Sequence, residues 1–351
     1  MRRPNLLLTV PGVFGVAAFL SFLSPPAPAA TPDPLNPAMK SVKGPFRPQL
    51  PDRDQSHDPS PAYSEADRRQ LAAQGKDLFF SRTAWGQQPS QGPLVSGQVL
   101  SCATCHVPPG FTDGLTHLVS PVREREVARR QTPTLLGVAH TAPYGWDGRN
   151  PHLQDQARGA IVSPLEMHAS REPTRRELDA LAEFQGSLVE QPPVPGRDYD
   201  PARASRGEVL FRTPRPVDDP SGEFPAGAQI ACSTCHAGPF FTDGKAHRGL
   251  VASGDPVVDP GEVGPDGTIR GFHTPSLLGA RLTPPYFHDG SGGDPASFSN
   301  PDQDLGGGAA GPDAARRALL ASVLPFYNTV RFNFRFTDDE LKDLAEFVLT
   351  L

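Results

Sequence analysis

Two five-residue stretches of one pattern decide how this chain folds: Cys102-Ala103-Thr104-Cys105-His106 and Cys232-Ser233-Thr234-Cys235-His236. C-x-x-C-H is the attachment signature of c-type haem, in which both thiols form thioethers and the adjacent histidine ligates the iron. The two motifs use all four cysteines of the chain. A zinc site or a redox dithiol is the alternative, but zinc needs four ligands in a closed geometry, which this spacing fits poorly. We therefore predict two covalently bound haem c groups.

The sequence around these motifs also repeats. Each motif is followed by a Phe-Thr-Asp-Gly block with a His close behind it, and then by a Thr-Pro-Thr/Ser-Leu-Leu-Gly block. Each half closes with an apolar helical face, formed by Leu178, Leu181, Phe184 and Leu188 and by Leu341, Leu344, Phe347 and Leu351. The duplication predicts a mainly α fold of two fused cytochrome c-like haem domains with long loops.

The chain divides into four segments. Residues 1–30 combine a positive start, an apolar run and a small-residue end, which predicts a signal peptide and a periplasmic or secreted protein; an uncleaved anchor is the alternative. Residues 31–62 are Pro-rich and are predicted to form a tether. The N-terminal haem domain is expected at 63–195, beginning with a helix capped by Ser64, and the C-terminal haem domain at 196–351.

The composition agrees with a soluble globular protein. The 351 residues carry a net charge of −6, with 21% charged and 37% hydrophobic residues. The sequence shows no basic patch, so nucleic acid is not expected as a partner. The 42 Pro and 34 Gly predict many loops and short helices.

The two halves differ at positions where their roles should differ. Trp146 aligns with His288 and is either a core residue or an aromatic relay between two haems. Residues 156–168, which include Gln156 and Glu166, have no counterpart in the second half. Because Glu166 lies in an apolar, Pro-bearing run, burial should raise the pKa of its carboxyl and make it a usable acid–base group.

The sixth ligand of the second haem stays open on the residues alone. An electron-transfer haem usually has a Met or a second His opposite the proximal His. Beyond the predicted signal peptide, the methionines are Met39 in the tether and Met167 in the first half. The second haem must therefore use His, Tyr or no ligand. Tyr327, just before the closing helix, is the tyrosine candidate, with core packing as its alternative role.

Several blocks together identify a family that the chain resembles. They are both C-x-x-C-H motifs, Trp146-Asp-Gly-Arg149, Gln156, Ser163-Pro-Leu-Glu166-Met167 and Leu282-Thr-Pro-Pro-Tyr-Phe-His288-Asp-Gly290. Over residues 64–351 the chain resembles the bacterial di-haem cytochrome c peroxidases and their MauG-like relatives. The resemblance implies that peroxide is reduced at the first haem and that the second haem stores or relays electrons.

The resemblance also implies individual roles. His106 would be the proximal ligand of the peroxidatic haem, Glu166 its distal acid–base carboxylate and Gln156 its distal glutamine. Trp146 would lie between the haems, and His236 would be the proximal ligand of the second haem.

Further positions follow from the same resemblance. Tyr327 aligns with the site where peroxidases carry a Met ligand and MauG-like proteins a Tyr, which favours Tyr327 as a ligand. The family binds calcium between its domains; Thr283 and Pro285 match the carbonyl ligands, and Gln131 stands where Asn is usual. The peroxidases carry a distal His, released on activation, in the segment after the first motif. Here the nearest candidate, His117, aligns instead with a histidine of the second half, which favours a first haem open to peroxide.

We interpret the chain as a di-haem c-type peroxidase that takes electrons from an external donor. Its expected partners are hydrogen peroxide and a small redox protein, either a cytochrome c or a cupredoxin. One alternative is a MauG-like oxidase of a side chain on a partner protein. Another is a non-catalytic electron-transfer cytochrome. The residues leave the donor open, and they leave open whether the protein forms a homodimer.

Overall fold

The computed structural model describes residues 63–119, 128–247, 262–263, 269–293 and 311–351. The predicted signal peptide at 1–30 and the predicted tether at 31–62 lie outside the described residues. Within the described part, no helix has the length and apolar character needed to cross a membrane. The described residues are mainly helical with short strands, which confirms the predicted fold class at this level.

Each half contains a series of helices, and most of them have a counterpart in the other half. The first half contains α1 (Glu65–Phe80), α2 (Cys102–Cys105), α3 (Leu153–Val162) and α4 (Arg175–Gly186). The second half contains α5 (Pro201–Arg212), α6 (Cys232–Cys235), α7 (Pro312–Ala318) and α8 (Asp338–Val348). Two π-helical turns, Leu319–Val323 and Phe326–Arg331, lie between α7 and α8, and single 3-10 turns cover Pro93–Val95, Val138–His140 and Ala280–Leu282.

Side-chain caps determine where the long helices begin. Ser64 precedes α1 as predicted: its hydroxyl accepts a hydrogen bond from the Asp67 backbone N–H, and the Asp67 carboxylate accepts one from the Ser64 backbone N–H, both at 3.2 Å. The same reciprocal arrangement precedes α4 and α8. Such caps satisfy backbone donors that the first turn of a helix leaves without intrahelical partners.

A glycine allows close contact in each of the two main helix pairs. Helix α1 packs against α4, and α5 packs against α8. A Cβ on Gly75 would lie 1.9 Å from the Ala180 carbonyl oxygen, and a Cβ on Gly207 would lie 1.9 Å from that of Asp343. No side chain fits at either position, which explains why this glycine occurs in both copies of the repeat.

The apolar faces of the two closing helices form core, as predicted. All their members are buried: Leu178, Leu181, Phe184 and Leu188 in the first half, and Leu341, Leu344, Phe347 and Leu351 in the second. The last member of each set follows its helix rather than belonging to it, because α4 ends at Gly186 and α8 at Val348.

Short antiparallel strands accompany the helices. Strand β1 (Thr116–Val119) pairs with β2 (Ala128–Gln131), and β3 (Arg215–Pro216) pairs with β4 (Gln229–Ile230). Strand β7 (Ile269–His273) lies between β5 (Ala246–His247) and β6 (Glu262–Val263). Strands β2 and β7 end at Gln131 and His273, which lie at the contact between the halves.

That contact contains a pseudo-symmetric exchange of backbone hydrogen bonds. The Gln131 N–H donates to the His288 carbonyl at 2.7 Å, and the His273 N–H donates to the Trp146 carbonyl at 2.9 Å. In the repeat, Gln131 corresponds to His273 and Trp146 to His288, so the two bonds are equivalent. The halves therefore face each other like the subunits of an isologous dimer. The domain boundary after residue 195 stays a prediction.

Candidate active site

The four cysteines lie on the two single-turn helices α2 and α6, and no disulfide pairs any of them: Cys102, Cys105, Cys232 and Cys235. The threonine within each motif closes the turn. The Thr104 hydroxyl accepts from the Ser101 backbone N–H at 3.0 Å, and the equivalent bond to Thr234 measures 2.9 Å. Because residues three apart share one side of a helix, each turn directs its two thiols the same way.

His106 and His236 are oriented by the same contact in both halves. Nδ1 of His106 lies 3.0 Å from the Phe111 carbonyl oxygen, and Nδ1 of His236 lies 3.0 Å from that of Phe241. Burial lowers the pKa of both imidazoles, which favours the neutral form. When Nδ1–H donates to a carbonyl, Nε2 keeps its lone pair for a metal ion.

The two phenylalanines that supply these carbonyls have unusual backbone angles. Phe111 and Phe241 have φ values of 50° and 51°, in the left-handed region that bulky residues rarely adopt. Such conformations persist where the surrounding structure enforces them, and they cluster at functional sites. Here the conformation accompanies the carbonyl contact that orients each histidine.

One cavity of about 520 Å³ borders both motifs. Its wall includes both cysteines and the histidine of each motif. It also includes every other site residue singled out from the sequence: Gln131, Trp146, Gln156, Glu166, Thr283, Pro285 and Tyr327. The structure thus places all the sequence-predicted site residues around a single space.

Glu166 is held at the cavity wall by the turn that follows α3. The Glu166 backbone N–H donates to the Ser163 carbonyl at 3.1 Å, and the Met167 N–H donates to the Ala160 carbonyl at 3.2 Å. Burial raises the pKa of the Glu166 carboxyl, whereas the Ser163 hydroxyl and the positive charge of Arg149 act in the opposite direction. The net direction agrees with the expectation from the sequence.

Gln156 lies on the part of α3 that borders the cavity. Leu153 and Ile161 anchor this helix in the hydrophobic core of the first half. Because residues four apart share one side of a helix, Gln156 is on the same side of α3 as Ala160, which also lines the cavity. The amide of Gln156 and the carboxyl of Glu166 therefore border the same space.

Trp146 lies at the contact between the two halves. Its indole N–H donates to the Gln131 carbonyl at 2.8 Å, and its own carbonyl accepts from the His273 N–H. Since Gln131 in turn donates to the His288 carbonyl, a hydrogen-bonded route leads from the indole into the second half. This position suits a residue between two redox centres.

Comparison with known proteins identifies the family. The family model for di-haem cytochrome c peroxidase matches residues 70–199. The methylamine utilization protein MauG of Methylorubrum extorquens is 30% identical over 305 residues, which cover 80% of this chain and 77% of that protein. The chain belongs to the di-haem cytochrome c peroxidase family.

Another relative and one solved structure are also similar to this chain. The cytochrome c551 peroxidase of Pseudomonas aeruginosa is 28% identical over 246 residues, covering 62% of this chain and 66% of that protein. The crystal structure of a MauG-like protein associated with microbial copper homeostasis has a TM-score of 0.51 and 21% identity, over 84% of this chain and 90% of that one. The latter likeness shows a shared fold.

The described residues fit the two haem c groups that a di-haem family implies. Each half offers two cysteine side chains on one helical turn and a histidine whose Nδ1 contact leaves Nε2 for iron. Both sets border the same cavity, whose wall is otherwise largely apolar. The donor types, their spacing and the orientation of the histidines all suit covalently attached haem.

Tyr327 lies in the π-helical turn Phe326–Arg331, at the part of the cavity near the second motif. Pro325 precedes it and has no backbone N–H, which interrupts the regular helical pattern and favours a wider turn. Burial raises the pKa of Tyr327 to about 12, and Cys235 acts in the same direction. A phenol in such surroundings ionises readily only beside a positive charge such as a metal ion.

The candidate calcium ligands Gln131, Thr283 and Pro285 all border the cavity. A Cβ on Gly290 would lie 3.4 Å from the Pro285 ring and 3.8 Å from the Gln131 side chain, so these two residues are neighbours. The Gln131 amide N–H donates to the Thr112 hydroxyl at 3.3 Å, which leaves the amide oxygen for a cation. An amide oxygen and two backbone carbonyls are donors that calcium accepts.

The histidine behind each Phe-Thr-Asp-Gly block forms a contact that the sequence did not predict. Nε2 of His117 lies 2.6 Å from Asp113, and Nε2 of His247 lies 2.9 Å from Asp243. In each half, the pair has its polar atoms within 4.8 Å of the second cysteine thiol of the motif. The repeated Asp-x-x-x-His spacing was the available signal. His117 is therefore engaged by Asp113, which is compatible with a first haem open to peroxide.

Proposed function

We propose that the protein is a di-haem c-type peroxidase that reduces hydrogen peroxide at the first haem with electrons relayed through the second. The observation that carries this proposal is Glu166, a carboxyl with a raised pKa at the wall of the cavity that contains the first motif. A haem that only relays electrons needs no such acid–base group. Gln156 borders the same space and supplies a hydrogen-bonding amide.

The reaction converts one hydrogen peroxide, two electrons and two protons into two water molecules. When bound, haem supplies the iron at which peroxide is reduced and the redox levels that hold the electrons. Glu166 accepts the proton from one peroxide oxygen and returns it to the other, which becomes the leaving water. The Gln156 amide orients the peroxide by hydrogen bonding to it.

Electrons reach the first haem across the contact between the halves. Trp146 is the candidate relay because it lies on the cavity wall and is hydrogen-bonded through Gln131 to the second half. We propose that the external donor is a small redox protein, a cytochrome c or a cupredoxin. An exported protein, as the signal peptide predicts, would meet such donors outside the cytoplasm.

Tyr327 supports a second candidate function, the oxidation of a side chain on a partner protein. The phenol borders the cavity near the second motif, and the residues described around it include no methionine that could replace it. A phenolate ligand favours high oxidation states of iron, which long-range oxidation of a protein substrate requires. The 30% identity to a methylamine utilization protein MauG is compatible with this interpretation.

Glu166→Gln tests the first proposal. Loss of acid–base assistance should slow the absorbance change after mixing with hydrogen peroxide by roughly 10²–10⁴-fold. Glu172→Gln is the matched control, because Glu172 is an exposed carboxylate of the same half paired with Arg158, and it should react at the parental rate. A parental rate in Glu166→Gln would place proton transfer elsewhere.

Tyr327→Phe separates the two candidate functions. If Tyr327 is the ligand, this change should alter the low-spin spectrum of the second haem and spare the first. Peroxide titration with and without a reduced small cytochrome then distinguishes the outcomes. Turnover that depends on the donor supports a peroxidase, whereas a persistent oxidised state that the donor does not discharge supports a protein oxidase.

A further inference from the structure

The second half contains a network of charged side chains that links two distant parts of its haem site. The Arg331 guanidinium donates to the Asp219 carboxylate and, at 3.1 Å, to the Glu223 carboxylate. Glu223 also contacts Nδ1 of His247 at 2.6 Å, and Nε2 of His247 lies 2.9 Å from Asp243. Both nitrogens of His247 therefore face carboxylate oxygens.

One end of this network supports Tyr327. The Arg331 guanidinium carbon lies 4.2 Å from the centre of the Phe332 ring, and that ring stacks on Tyr327 with centres 5.9 Å apart and planes 19° apart. The Phe332 backbone N–H donates to the Tyr327 carbonyl at 3.2 Å. Arg331 thus holds the ring against which the phenol packs.

The other end lies beside the haem attachment. The ligand-type atoms of Asp243, His247 and Cys235 all lie within 4.8 Å of one another. Because Cys235 belongs to the second motif, the network connects the turn that carries Tyr327 to the helical turn that would carry the haem.

The arginine end of the network is buried and held by several hydrogen bonds. The Arg331 side chain is 5% exposed, and the Asp219 side chain is 0% exposed. Asp219 also accepts hydrogen bonds from the backbone N–H groups of Ser221 and Phe224, both at 2.9 Å. Buried charges of this kind are tolerated only while paired, so the position of Arg331 is tightly constrained.

The first half cannot form the same network. Asp219 and Glu223 lie in the segment just before the second motif, and the corresponding segment before the first motif, residues 86–100, contains neither Asp nor Glu. No carboxylate there can extend the His117–Asp113 pair. The difference coincides with the half in which a tyrosine ligand is proposed.

We propose that Arg331, Glu223 and His247 form a charged clamp that positions Tyr327 as a ligand of the second haem. The proposal rests on the ligation by Tyr327 proposed above. The three residues are positioning residues, since they act through Phe332 and the turn of Tyr327. Loosening the charged clamp should release the phenolate and raise the reduction potential of the second haem.

The test separates positioning from a direct effect of charge on the haem. Glu223→Gln removes a negative charge, so it should raise the potential of the second haem under either explanation. The paired change Arg331→Gln with Asp219→Asn leaves the net charge unchanged and avoids an unpaired buried carboxylate. The charged clamp predicts that this pair also raises the potential and weakens the low-spin signal of the second haem, whereas a direct charge effect predicts no shift.

Control variants make the outcome specific. Glu346→Gln removes a buried carboxylate that pairs with Arg316 in the same half, and it should leave both haem spectra and potentials unchanged. Arg331→Lys, which keeps the charge, should retain part of the low-spin signal. If Tyr327→Phe changes the second haem but Glu223→Gln and the charge-neutral pair do not, the charged clamp is wrong and the ligation stands. If Tyr327→Phe changes nothing, both proposals fail.

Discussion

The backbone N–H of His273 donates to the carbonyl oxygen of Trp146 at 2.9 Å. The equivalent bond, from Gln131 to His288, measures 2.7 Å. The two halves thus share a symmetric backbone frame, yet they place different side chains in it, an indole on one side and an imidazole on the other. A shared frame with divergent side chains allows the two haem sites to take different roles without a change in fold.

Trp146→Phe should separate the relay from the frame. The phenyl ring fits the space of the indole but lacks the N–H that donates to the Gln131 carbonyl, and it is much harder to oxidise. We expect unchanged haem content and unchanged spectra of both haems. Electron transfer from the reduced second haem to the peroxide-treated first haem should be slower in stopped-flow absorbance. Equal rates in the parent and the variant would exclude Trp146 as the relay.

The glycine contacts predict matched losses of stability. Gly75→Ala and Gly207→Ala should each lower the free energy of unfolding by roughly 1–3 kcal/mol, because the new methyl group would overlap a backbone carbonyl. Gly159→Ala in α3 is the control: a Cβ there meets nothing within 4 Å, so the change should raise helix stability by about 0.5–1 kcal/mol. Denaturant unfolding measures all three. A neutral Gly75→Ala would contradict the tight packing of α1 on α4.

These features show how far local sequence signals reach. The haem motifs, the cap at Ser64 and the apolar faces of the closing helices each depend on residues within a few positions of one another, so spacing alone predicts them. The repeat draws attention to Gly75 and Gly207, because a small residue found twice at one position of a helix needs a physical reason. The partner that each glycine approaches, a carbonyl of the closing helix, becomes visible only in the folded chain.

Other features depend on contacts between distant residues and left no local signal. The bond between Arg331 and Asp219 joins positions that nothing in the sequence connects, and each residue alone resembles a solvated surface charge. The π-helical turn that carries Tyr327 could be suspected from Pro325, but its effect on the phenol depends on packing against Phe332. The candidate ligand could therefore be predicted from the sequence, whereas the residues that support it could not.

Covalent attachment predicts a simple result for the cysteines. Under denaturing conditions the mature parent chain should retain two haems in mass spectrometry, since thioethers survive unfolding. Replacing Cys102 and Cys105 together with Ser should leave one haem, attached at the second motif. Free titratable thiols in the mature parent protein would contradict attachment at both motifs.

Calcium should stabilise the contact between the halves if Gln131, Thr283 and Pro285 bind it. We expect the melting temperature to fall after treatment with a chelator and to recover with added Ca²⁺, because a ligand that binds only the folded state stabilises it. Gln131→Leu should remove the calcium response while preserving haem content. The same response in the parent and in Gln131→Leu would move the site away from Gln131.

The pKa of Glu166 predicts how activity and stability vary with pH. Burial raises this pKa, so the carboxylate that accepts a proton from peroxide is lost at a higher pH than for an ordinary glutamate. The rate of reaction with peroxide should therefore fall as the pH drops through the raised pKa of Glu166. Glu166→Gln should react slowly and lose this acid limb.

Stability should show the opposite dependence on pH for the same group. Between the ordinary pKa of an unfolded glutamate and the raised pKa of Glu166, the folded state binds more protons than the unfolded state. The free energy of unfolding should then decrease as the pH rises through this window. Glu166→Gln cannot ionise, so its stability should fall less over the same range, as measured by denaturant unfolding at a series of pH values. A parallel decrease in the parent and in Glu166→Gln would show that another group causes it, and the raised pKa would then no longer support Glu166 as the acid–base residue.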